Sequence, residues 1–440
     1  MNPQAAELNA VLRAESPAAF KLLSARGRGI FFPRKGLVAQ GLEAKGKTVN
    51  ASIGEAREDD GSPLRLGPLA ECITIDPADA FSYAPSFGKP ELRDTWARLI
   101  RRKNPGLGDK LISRPVVTNA LTHGLSTAGY LFVDEGDEII LPEPYWGNYR
   151  LIFAEARGAV LKTFPAFTSE APDAPFNVEG LTRALSSPAP NGSKGPEGDK
   201  KILLLNFPNN PTGYTPAVAE AEAIVNAVHR AAEAGQTILI VLDDAYFGLV
   251  YRRGIAGESP FAAFADLHEN VVACKIDGAT KEDYVWGFRV GFITFAGRSL
   301  GAEALAVLED KAAGRVRGSI SNSCHLSQSL LLAAYTHPDY TPEKSRAYDL
   351  LKERHDALAA ELEAHPEYAE RFTPLPFNSG YFMCVRIARG DAEAVRQRLL
   401  SAYDTGVIAL GSLVRIAYSS LPKSQIPVLL SNLYAACAEV

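Results

Sequence analysis

The sequence predicts an α/β fold in which a mostly parallel seven-stranded sheet carries helices on both faces. Seven short runs of apolar and β-branched residues lie in the middle of the 440-residue chain, and most are continuously apolar, as strands covered on both faces are. Helical patterns separate many of these runs. Strand–helix–strand alternation of this kind is typical of parallel sheets with right-handed crossovers.

The elements of this predicted sheet follow one another along the chain. The strands are expected at Pro115–Thr118, Glu138–Leu141, Ala159–Phe164, Ile202–Phe207, Thr237–Asp243, Asn270–Ile276 and Val290–Phe295. Helices are predicted over Thr122–Phe132 and Ala217–Ala234, where apolar residues recur at helical spacing, and Gly235 provides a stop after the second. The segment Ser186–Lys200 is rich in Pro, Gly and Ser and is predicted to be an exposed loop.

After Phe295 the pattern changes to longer helices and a mixed tail. Helices are predicted over Ser299–Ala313, Ser327–His337 and Pro342–Ala364, and shorter strands and helices over Gly380–Ile387, Asp391–Leu400, Val414–Tyr418 and Gln425–Val440. This mixture predicts a smaller α+β domain. We therefore expect a large α/β domain at 60–325 and a small domain made by 1–59 and 326–440.

Composition and charge exclude several classes of protein. Hydrophobic residues make up 46% of the chain and charged residues 22%, which is ordinary for a globular protein and excludes global disorder. Lysine and arginine number 46 against 51 for aspartate and glutamate, and the net charge of −5 gives no electrostatic reason to expect nucleic acid or an anionic membrane as a partner. The longest apolar runs fall far short of the ~20 residues that a membrane span needs.

The cysteines and histidines predict no disulfide framework and no metal site. Five cysteines are scattered without CxxC spacing, so reduced core thiols are expected, and the histidines lack the spacing of metal ligands. The N-terminus shows neither the basic nor the apolar region of a signal peptide. We therefore expect a cytoplasmic protein.

The segment Gly41–Thr48 matches the GxxxxGK[ST] expression of a phosphate-binding loop letter for letter. Such a loop needs a buried strand before it and a helix that starts at its Lys-Thr. The preceding residues include Arg34 and Lys35, and the following residues alternate like a strand. We therefore expect a solvated hairpin-like turn here rather than a nucleotide site.

Polar residues follow four of the predicted strands, at the edge where open α/β sheets bind ligands. Asn210-Pro-Thr-Gly follows the fourth strand, Asp243-Asp-Ala-Tyr246 the fifth, Lys281 and Arg289 the sixth, and Ala120, Leu121 and Thr122 lie where the first strand leads into a helix. Each segment alone has an ordinary explanation, such as a solvated lysine, a helix-capping aspartate or a turn. Together, and in this order, they indicate a ligand site.

These segments resemble fold-type I enzymes of the class I/II aminotransferase family, which depend on pyridoxal 5′-phosphate (PLP). The matching pieces are Gly54, Tyr83 with Gly88 and Leu92-Arg93, Pro144-Tyr-Trp146-Gly-Asn, Asn210-Pro-Thr-Gly, Asp243-Asp-Ala-Tyr246, Lys281 with Arg289, and Val414-Arg415-Ile-Ala-Tyr. The pieces Trp146-Gly-Asn and Arg317-Gly-Ser-Ile-Ser-Asn322 bring the chain close to the aspartate aminotransferase branch.

The resemblance implies the chemical roles of five residues. Lys281 forms a Schiff base with the PLP aldehyde and, once freed, moves the proton from the Cα atom of the substrate. By the spacing of the family's motif, Asp243 rather than Asp244 keeps the pyridine nitrogen protonated. Asn210 and Tyr246 form hydrogen bonds with the phenolic oxygen of the cofactor, and Trp146 stacks on the cofactor ring.

The resemblance also implies a phosphate site shared between two subunits. Its members are Ala120, Leu121 and Thr122 at the helix start, Arg289 as a charged clamp, and Tyr83 of the partner subunit, which implies a homodimer. The family's usual Ser-x-Ser-Lys is replaced by Gly278-Ala-Thr280-Lys281. The contact of the first serine is therefore lost, and Thr280 or another donor has to compensate.

For the substrate, the resemblance implies that Arg415 grips the α-carboxylate, with Gly54, Trp146 and Asn210 beside it. Arg317 of the partner subunit then binds a distal carboxylate. This predicts a ping-pong exchange between aspartate or glutamate and 2-oxoglutarate or oxaloacetate. The family's Pro-Met-Tyr after this arginine is Gly318-Ser-Ile here, so a surface position for Arg317 is the alternative.

Other interpretations stay open. An aminotransferase for aromatic amino acids or alanine, or a β-lyase, decarboxylase or synthase, would use the same fold and cofactor. A ligand-sensing regulator would need a nucleic-acid-binding appendage, and the short helix predicted at Ala18–Arg26 with its basic neighbours is too little for one. His123 is expected to make local hydrogen bonds rather than to line the pocket.

Overall fold

The computed structural model describes residues 2–32, 36–187 and 200–440. The loop predicted at Ser186–Lys200 lies outside the described residues except near its two ends, and so do Arg34 and Lys35. Among the described residues the strands are β1 (Val49–Asn50), β2 (Val116–Asn119), β3 (Glu138–Glu143), β4 (Val160–Pro165), β5 (Lys200–Leu205), β6 (Thr237–Asp243), β7 (Val271–Asp277), β8 (Val290–Ala296), β9 (Phe372–Pro374), β10 (Met383–Ile387), β11 (Thr405–Gly406), β12 (Ile408–Leu410) and β13 (Leu413–Ile416).

The predicted central sheet is confirmed, with seven strands in the order β2-β8-β7-β6-β5-β3-β4. Strand β8 is antiparallel to both β2 and β7, and the other neighbours are parallel. Strands β5, β6 and β8 are buried along most of their length, which explains their continuous apolar sequences. In register, Leu205 pairs with Leu242 and Asp243 with Ile276. The carboxyl ends of β5, β6 and β7 therefore meet at one edge.

Helices cover this sheet and continue beyond it. They are α1 (Pro3–Glu15), α2 (Pro17–Leu22), α3 (Ala25–Gly29), α4 (Leu37–Glu43), α5 (Gly67–Glu71), α6 (Ala78–Phe81), α7 (Pro90–Lys103), α8 (Ala120–Phe132), α9 (Val178–Ser186), α10 (Val218–Glu233), α11 (Phe261–Phe264), α12 (Ala279–Glu282), α13 (Ala302–Ile320), α14 (His325–Tyr335), α15 (Tyr340–Ala364), α16 (Ala392–Ala402) and α17 (Ile426–Ala438). The segment Arg150–Glu155 is a π-helix. The helices predicted after strands β2 and β5 are confirmed as α8 and α10.

Two helix predictions differ from the structure. The single helix expected at Ala18–Arg26 is two, α2 and α3, because the Ser24 hydroxyl accepts a hydrogen bond from the Gly27 amide at 3.0 Å and starts a new helix. Helix α13 continues past the predicted end to Ile320. The glycines in that extension lower helix propensity, and the burial of Val316 in the core outweighs this cost.

The two ends of the chain come together around a second sheet. Its four strands lie in the antiparallel order β12-β13-β10-β9, and β1 from the N-terminal segment pairs in parallel with β11. The N-terminal segment is thereby joined to the C-terminal part of the chain. The domain bounds 60–325, and 1–59 with 326–440, stay a prediction.

The segment Gly41–Thr48 has the reverse order of elements from a phosphate-binding loop. Helix α4 ends at Glu43, a turn follows, and β1 begins at Val49. The expectation of a hairpin-like turn is wrong for the first residues of the segment, which complete α4. A distant contact explains this, since Glu43 pairs with Arg396 at 2.7 Å.

Two kinds of feature are missing from residues 2–32, 36–187 and 200–440. No helix there is long and apolar enough to cross a membrane. No group of three or more His, Cys, Asp or Glu side chains there could hold a metal ion. The five cysteines are free, and three of them are buried. The expectation of core thiols is wrong for Cys72, which is half-buried, and for Cys324, which is exposed in the turn before α14.

Candidate active site

A cavity of about 680 Å³ lies at the carboxyl edge of the central sheet, where the N-terminal segment and the second sheet close over it. All the predicted site residues line it except Tyr83 and Arg317. Those that line it are Gly54, Ala120, Leu121, Thr122, Trp146, Asn210, Asp243, Tyr246, Thr280, Lys281, Arg289 and Arg415. The structure therefore brings together residues that are up to several hundred positions apart in the chain.

The Asp243 carboxylate at the end of β6 has one bonded and one free oxygen. Tyr149 donates its hydroxyl to Oδ2 at 2.6 Å, and Asn206 donates to the backbone carbonyl at 2.7 Å. The buried Oδ1 has no hydrogen-bond partner in the part of the chain that the structure describes. Burial raises the pKa of Asp243, while the Tyr149 hydrogen bond and the Lys281 charge act in the opposite direction. The free oxygen is suited to a buried N–H donor.

The neighbouring Asp244 points away from this cavity. Its carboxylate accepts a hydrogen bond from the Ser259 hydroxyl at 2.6 Å and pairs with Lys275 in the core. Asp243 lines the cavity, and Asp244 does not. Successive side chains point to opposite sides where a strand ends, so Asp243, the last residue of β6, serves the site and Asp244, the next residue, serves the core.

Lys281 lies in α12 with its amine free of ion pairs and hydrogen bonds to the residues that the structure describes. Its Nζ atom is 5.1 Å from the centre of the Tyr246 ring. Burial lowers the pKa of Lys281, against the opposing effect of the Asp243 charge. A lowered pKa makes the neutral, nucleophilic amine more available near neutral pH.

One end of the cavity is built for an anion. Helix α8 begins there, and its first backbone amides have no partner within the helix. Among the described residues, the buried Thr280 hydroxyl has no hydrogen-bond partner, and the exposed Arg289 makes one long hydrogen bond of 3.4 Å, to the Trp286 carbonyl. Amides, a hydroxyl and a guanidinium thus have unused donors at this end.

The structure gives a steric reason for the glycine at 278. A Cβ atom there would lie 2.7 Å from both the Gly291 Cα atom and the Val290 carbonyl oxygen. Both contacts are with backbone, which cannot turn aside as a flexible side chain can. A serine in the family's usual position is therefore excluded by the close approach of α12 to β8.

Arg415 lines the cavity from β13. It is buried, its guanidinium carbon is 4.4 Å from the centre of the Phe382 ring, and Nη2 donates to the Ser52 carbonyl at 3.2 Å. Its Nε has no hydrogen-bond partner. This leaves donors for a carboxylate, and Gly54 is exposed on the same rim.

Two predicted site residues, Tyr83 and Arg317, lie away from this cavity, and so does His123, for which local hydrogen bonds were expected. Tyr83 is 90% exposed, and Arg317 is exposed on α13 with Nη1 donating to Ser321 at 2.9 Å. Their contribution to a partner subunit's site stays a prediction. His123 is next to Asn119 and Ser319, with which its ring nitrogens form hydrogen bonds, and burial lowers the pKa of His123 to about 4.

Sequence reasoning missed several residues of the site. Tyr149 follows Trp146 by three residues, and this spacing places both on one side of a helical turn. The spacing was the feature of the sequence that could have identified Tyr149 as a site residue. The cavity is also lined by Lys45, Glu55 and Arg57, for which no local pattern gave a signal.

Comparisons with known proteins identify the family of the chain. The family model for aminotransferase class I and II matches residues 50–433. The chain is 28% identical over 313 residues to the aspartate aminotransferase of Geobacillus stearothermophilus, covering 70% of this chain and 69% of that protein. It is 27% identical over 341 residues to the probable aspartate/prephenate aminotransferase of Aquifex aeolicus, with 74% of each chain covered.

Solved structures show the same fold. An aminotransferase from Anaerococcus prevotii superimposes with a TM-score of 0.80 at 22% identity, covering 94% of this chain and 98% of that one. The Thermus thermophilus aspartate aminotransferase with maleate gives a TM-score of 0.71, also at 22% identity, covering 94% of this chain and 99% of that one.

Proposed function

Because this chain belongs to the aminotransferase class I and II family, and is therefore an aminotransferase that uses pyridoxal phosphate, we propose that it exchanges an amino group between aspartate or glutamate and 2-oxoglutarate or oxaloacetate. The proposal rests on one observation. The free Lys281 amine and the Asp243 oxygen that lacks a hydrogen bond belong to residues that line the same cavity. The substrates and the residue roles are part of the proposal.

The donors in the cavity fit the groups of the cofactor. Bound PLP supplies an aldehyde that takes up the amino group and a pyridine ring that withdraws electrons from the substrate's Cα atom. The buried Oδ1 of Asp243 would accept from the pyridine N–H, and the free amine of Lys281 would hold the aldehyde. Thr280, Arg289 and the start of α8 would hold the phosphate.

Lys281 has the properties of a proton carrier. Burial lowers the pKa of Lys281 and so enlarges the share of neutral Nζ that can accept a proton, while the Asp243 charge favours the protonated form once the proton is taken. Removing the proton from a substrate's Cα atom and returning it to a neighbouring carbon requires such a group. The Tyr246 ring lies beside the amine, with its centre 5.1 Å from Nζ.

Tyr149 acts on Asp243 rather than on a ligand. By donating to Oδ2 it lowers the pKa of the carboxyl, against the larger effect of burial, and it fixes the plane in which Oδ1 is presented. We assign it as a positioning residue. Arg415, with unused donors in a buried site, would orient the substrate by its α-carboxylate.

We also propose a homodimer with shared sites. Tyr83 and Phe81 are each 90% exposed, which is unusual for two large side chains so close in sequence and is typical of a surface that meets another chain. On this proposal the partner subunit's Tyr83 reaches the phosphate, and the partner subunit's Arg317 is the cation that the family resemblance offers for the distal carboxylate.

Shared sites can be tested by mixing two inactive variants. Lys281→Ala protein combined with Tyr83→Ala protein gives hybrid dimers in which one site has both side chains intact. Activity should recover after subunit exchange. If each subunit served itself, neither site of the hybrid would be complete and the mixture would stay inactive.

The reaction itself is tested with the purified PLP-loaded protein. Aspartate and 2-oxoglutarate should give oxaloacetate and glutamate in equal amounts, and borohydride reduction followed by peptide mapping should find the pyridoxyl group on Lys281. Release of ammonia, pyruvate or alanine without a 2-oxo acid would instead identify a lyase or decarboxylase. A pyridoxyl group on another residue would overturn the assignment of Lys281.

A further inference from the structure

The cavity holds more positive charge than the proposed roles use. Lys281, Arg289 and Arg415 are committed to the aldehyde, the phosphate and the α-carboxylate. Two cationic residues, Lys45 and Arg57, remain among the described residues that line it. Against them stands Glu55, the one acidic residue of that lining besides Asp243. An excess of positive charge in a partly closed cavity favours a ligand with a further negative group.

Arg57 is the better placed of the two cations. It is half-buried, and its backbone amide donates to the Ser419 carbonyl at 3.1 Å, which fixes its Cα position against the C-terminal part of the chain. Its side chain makes one hydrogen bond to the described residues, from Nη1 to the Gly61 carbonyl at 3.0 Å. The shielded Nε has no partner. A guanidinium carries five N–H groups, so most of its donors are unused.

The acidic neighbour of Arg57 is held only weakly. Nη2 lies 4.0 Å from the Glu55 carboxylate, and both side chains are partly exposed, at 31% for Arg57 and 42% for Glu55. Ion pairs of this length and exposure contribute little. A substrate carboxylate that makes two parallel hydrogen bonds with the guanidinium can therefore take the place of Glu55.

We infer that Arg57 binds the distal carboxylate of a dicarboxylic substrate within its own subunit. The inference rests on the proposed function, since it concerns the same cavity with the α-carboxylate held by Arg415. Arg57 comes three residues after Gly54, which lies on the rim of the same cavity. An amino acid with a neutral side chain leaves Arg57 with Glu55. Arg57 is thus a specificity residue of this chain, independent of any cation from a partner subunit.

The test compares the PLP-loaded wild type with Arg57→Gln, and with Arg65→Gln as a matched control. Arg65 is an exposed arginine on the same segment that does not line the cavity. Binding of maleate, a non-reacting dicarboxylate, is measured by calorimetry. Activity is measured with aspartate and with alanine as donors, each against 2-oxoglutarate.

Arg57→Gln should weaken maleate binding about tenfold to a hundredfold, the effect expected for a lost hydrogen bond between charged groups, and should lower kcat/KM for aspartate to a similar degree. Arg65→Gln should stay within about twofold of the wild type, since exposed charges contribute little. Should Arg57→Gln fail to fold, Arg57→Lys keeps the charge without the paired donors and is expected to lose about threefold to tenfold in maleate affinity.

The outcomes separate this inference from the proposed function. Unchanged maleate affinity in a folded Arg57 variant, or a loss seen only in Arg317→Gln, overturns the role of Arg57. An equal loss with aspartate and alanine overturns it as well, since the effect would then not be specific to the distal group. A wild type that binds maleate through Arg57 and transfers no amino group would refute the proposed function alone.

Discussion

The floor and the mouth of the cavity are built by different parts of the chain. Of the floor residues, Asp243 ends β6 and is held by its ladder with β7, whereas Thr280 and Lys281 lie in α12, which follows β7 directly. The mouth residues Lys45, Glu55 and Arg57 come from the N-terminal segment and are partly or fully exposed. Electrostatic effects are large where water is excluded and small where it is not. The floor should therefore determine whether the reaction occurs, and the mouth which substrate is used.

The largest expected effect is at the floor, in Lys281→Ala. Losing the group that carries the proton should slow amino transfer about 10⁴-fold with every donor. The measurement is the steady-state rate with aspartate and with alanine. A variant that kept more than a tenth of the wild-type rate would show that the floor lysine is dispensable and would remove the basis of the comparison.

Asp243→Asn should slow the reaction about 10²- to 10³-fold, because an amide cannot hold a positive charge on the pyridine nitrogen.

Burial raises the pKa of Asp243, so the ligand-free folded protein binds its proton more tightly than the unfolded chain does. Its contribution to stability is then greatest at low pH and is lost as the pH rises toward the raised pKa. The variant should lack this loss in urea unfolding measured over the acidic range.

Asp244→Asn is the matched control for Asp243→Asn. It removes one of the two carboxylates that pair with the buried Lys275, leaving Asp277 at 3.4 Å, and should lower the free energy of unfolding by about 3 kcal/mol. Asp243→Asn should not do so. Equal destabilisation by both variants would mean that Asp243, like Asp244, serves the core rather than the site.

Restoring the family's serine with Gly278→Ser should destabilise the fold by about 1–3 kcal/mol without improving PLP affinity, because the new Cβ atom meets backbone at 2.7 Å. Thermal unfolding and PLP titration measure the two effects. Gly257→Ser, where no atom lies within 4 Å of the added Cβ, should stay close to the wild type. A stable Gly278→Ser protein with tighter PLP binding would show that the floor can rearrange.

Tyr149→Phe tests the hydrogen bond that holds the floor residue Asp243 in place. The loss of one hydrogen bond to a carboxylate, about 1.5 kcal/mol, should slow the reaction about tenfold and shift its pH profile, because the pKa of Asp243 rises further. Tyr145→Phe is the control, since its ring lies beside Tyr149 with centroids 6.4 Å apart and it does not bond Asp243. An equal change in both variants would point to packing rather than to the hydrogen bond.

The smallest expected effect is at the mouth, in Lys45→Gln. An exposed charge contributes about 1 kcal/mol or less, so kcat/KM for aspartate should fall about twofold to fivefold and the difference should vanish at high salt. The rate with alanine should not change. A large loss with both donors would place Lys45 functionally with the floor.

The sequence by itself determined the central sheet and the order of the floor residues. Continuous apolar runs predict buried parallel strands, and the polar residues that follow them must lie at the carboxyl edge because chain continuity leaves them nowhere else. Lys281, Asp243 and Asn210 could therefore be placed together before any coordinates were known. The bounds of α13 were harder to predict from the sequence, because the burial of Val316 outweighs the low helix propensity of the nearby glycines.

The tertiary structure alone decided what the neighbours of those residues are. The hydrogen bond from Tyr149 to Asp243, the backbone contact that requires glycine at 278, and the position of Arg57 in the cavity each join segments far apart in the chain. Such contacts depend on how the two sheets and the N-terminal segment pack against one another. No local pattern of hydrophobicity or spacing records that packing, because the interacting atoms are brought together only when the whole chain has folded.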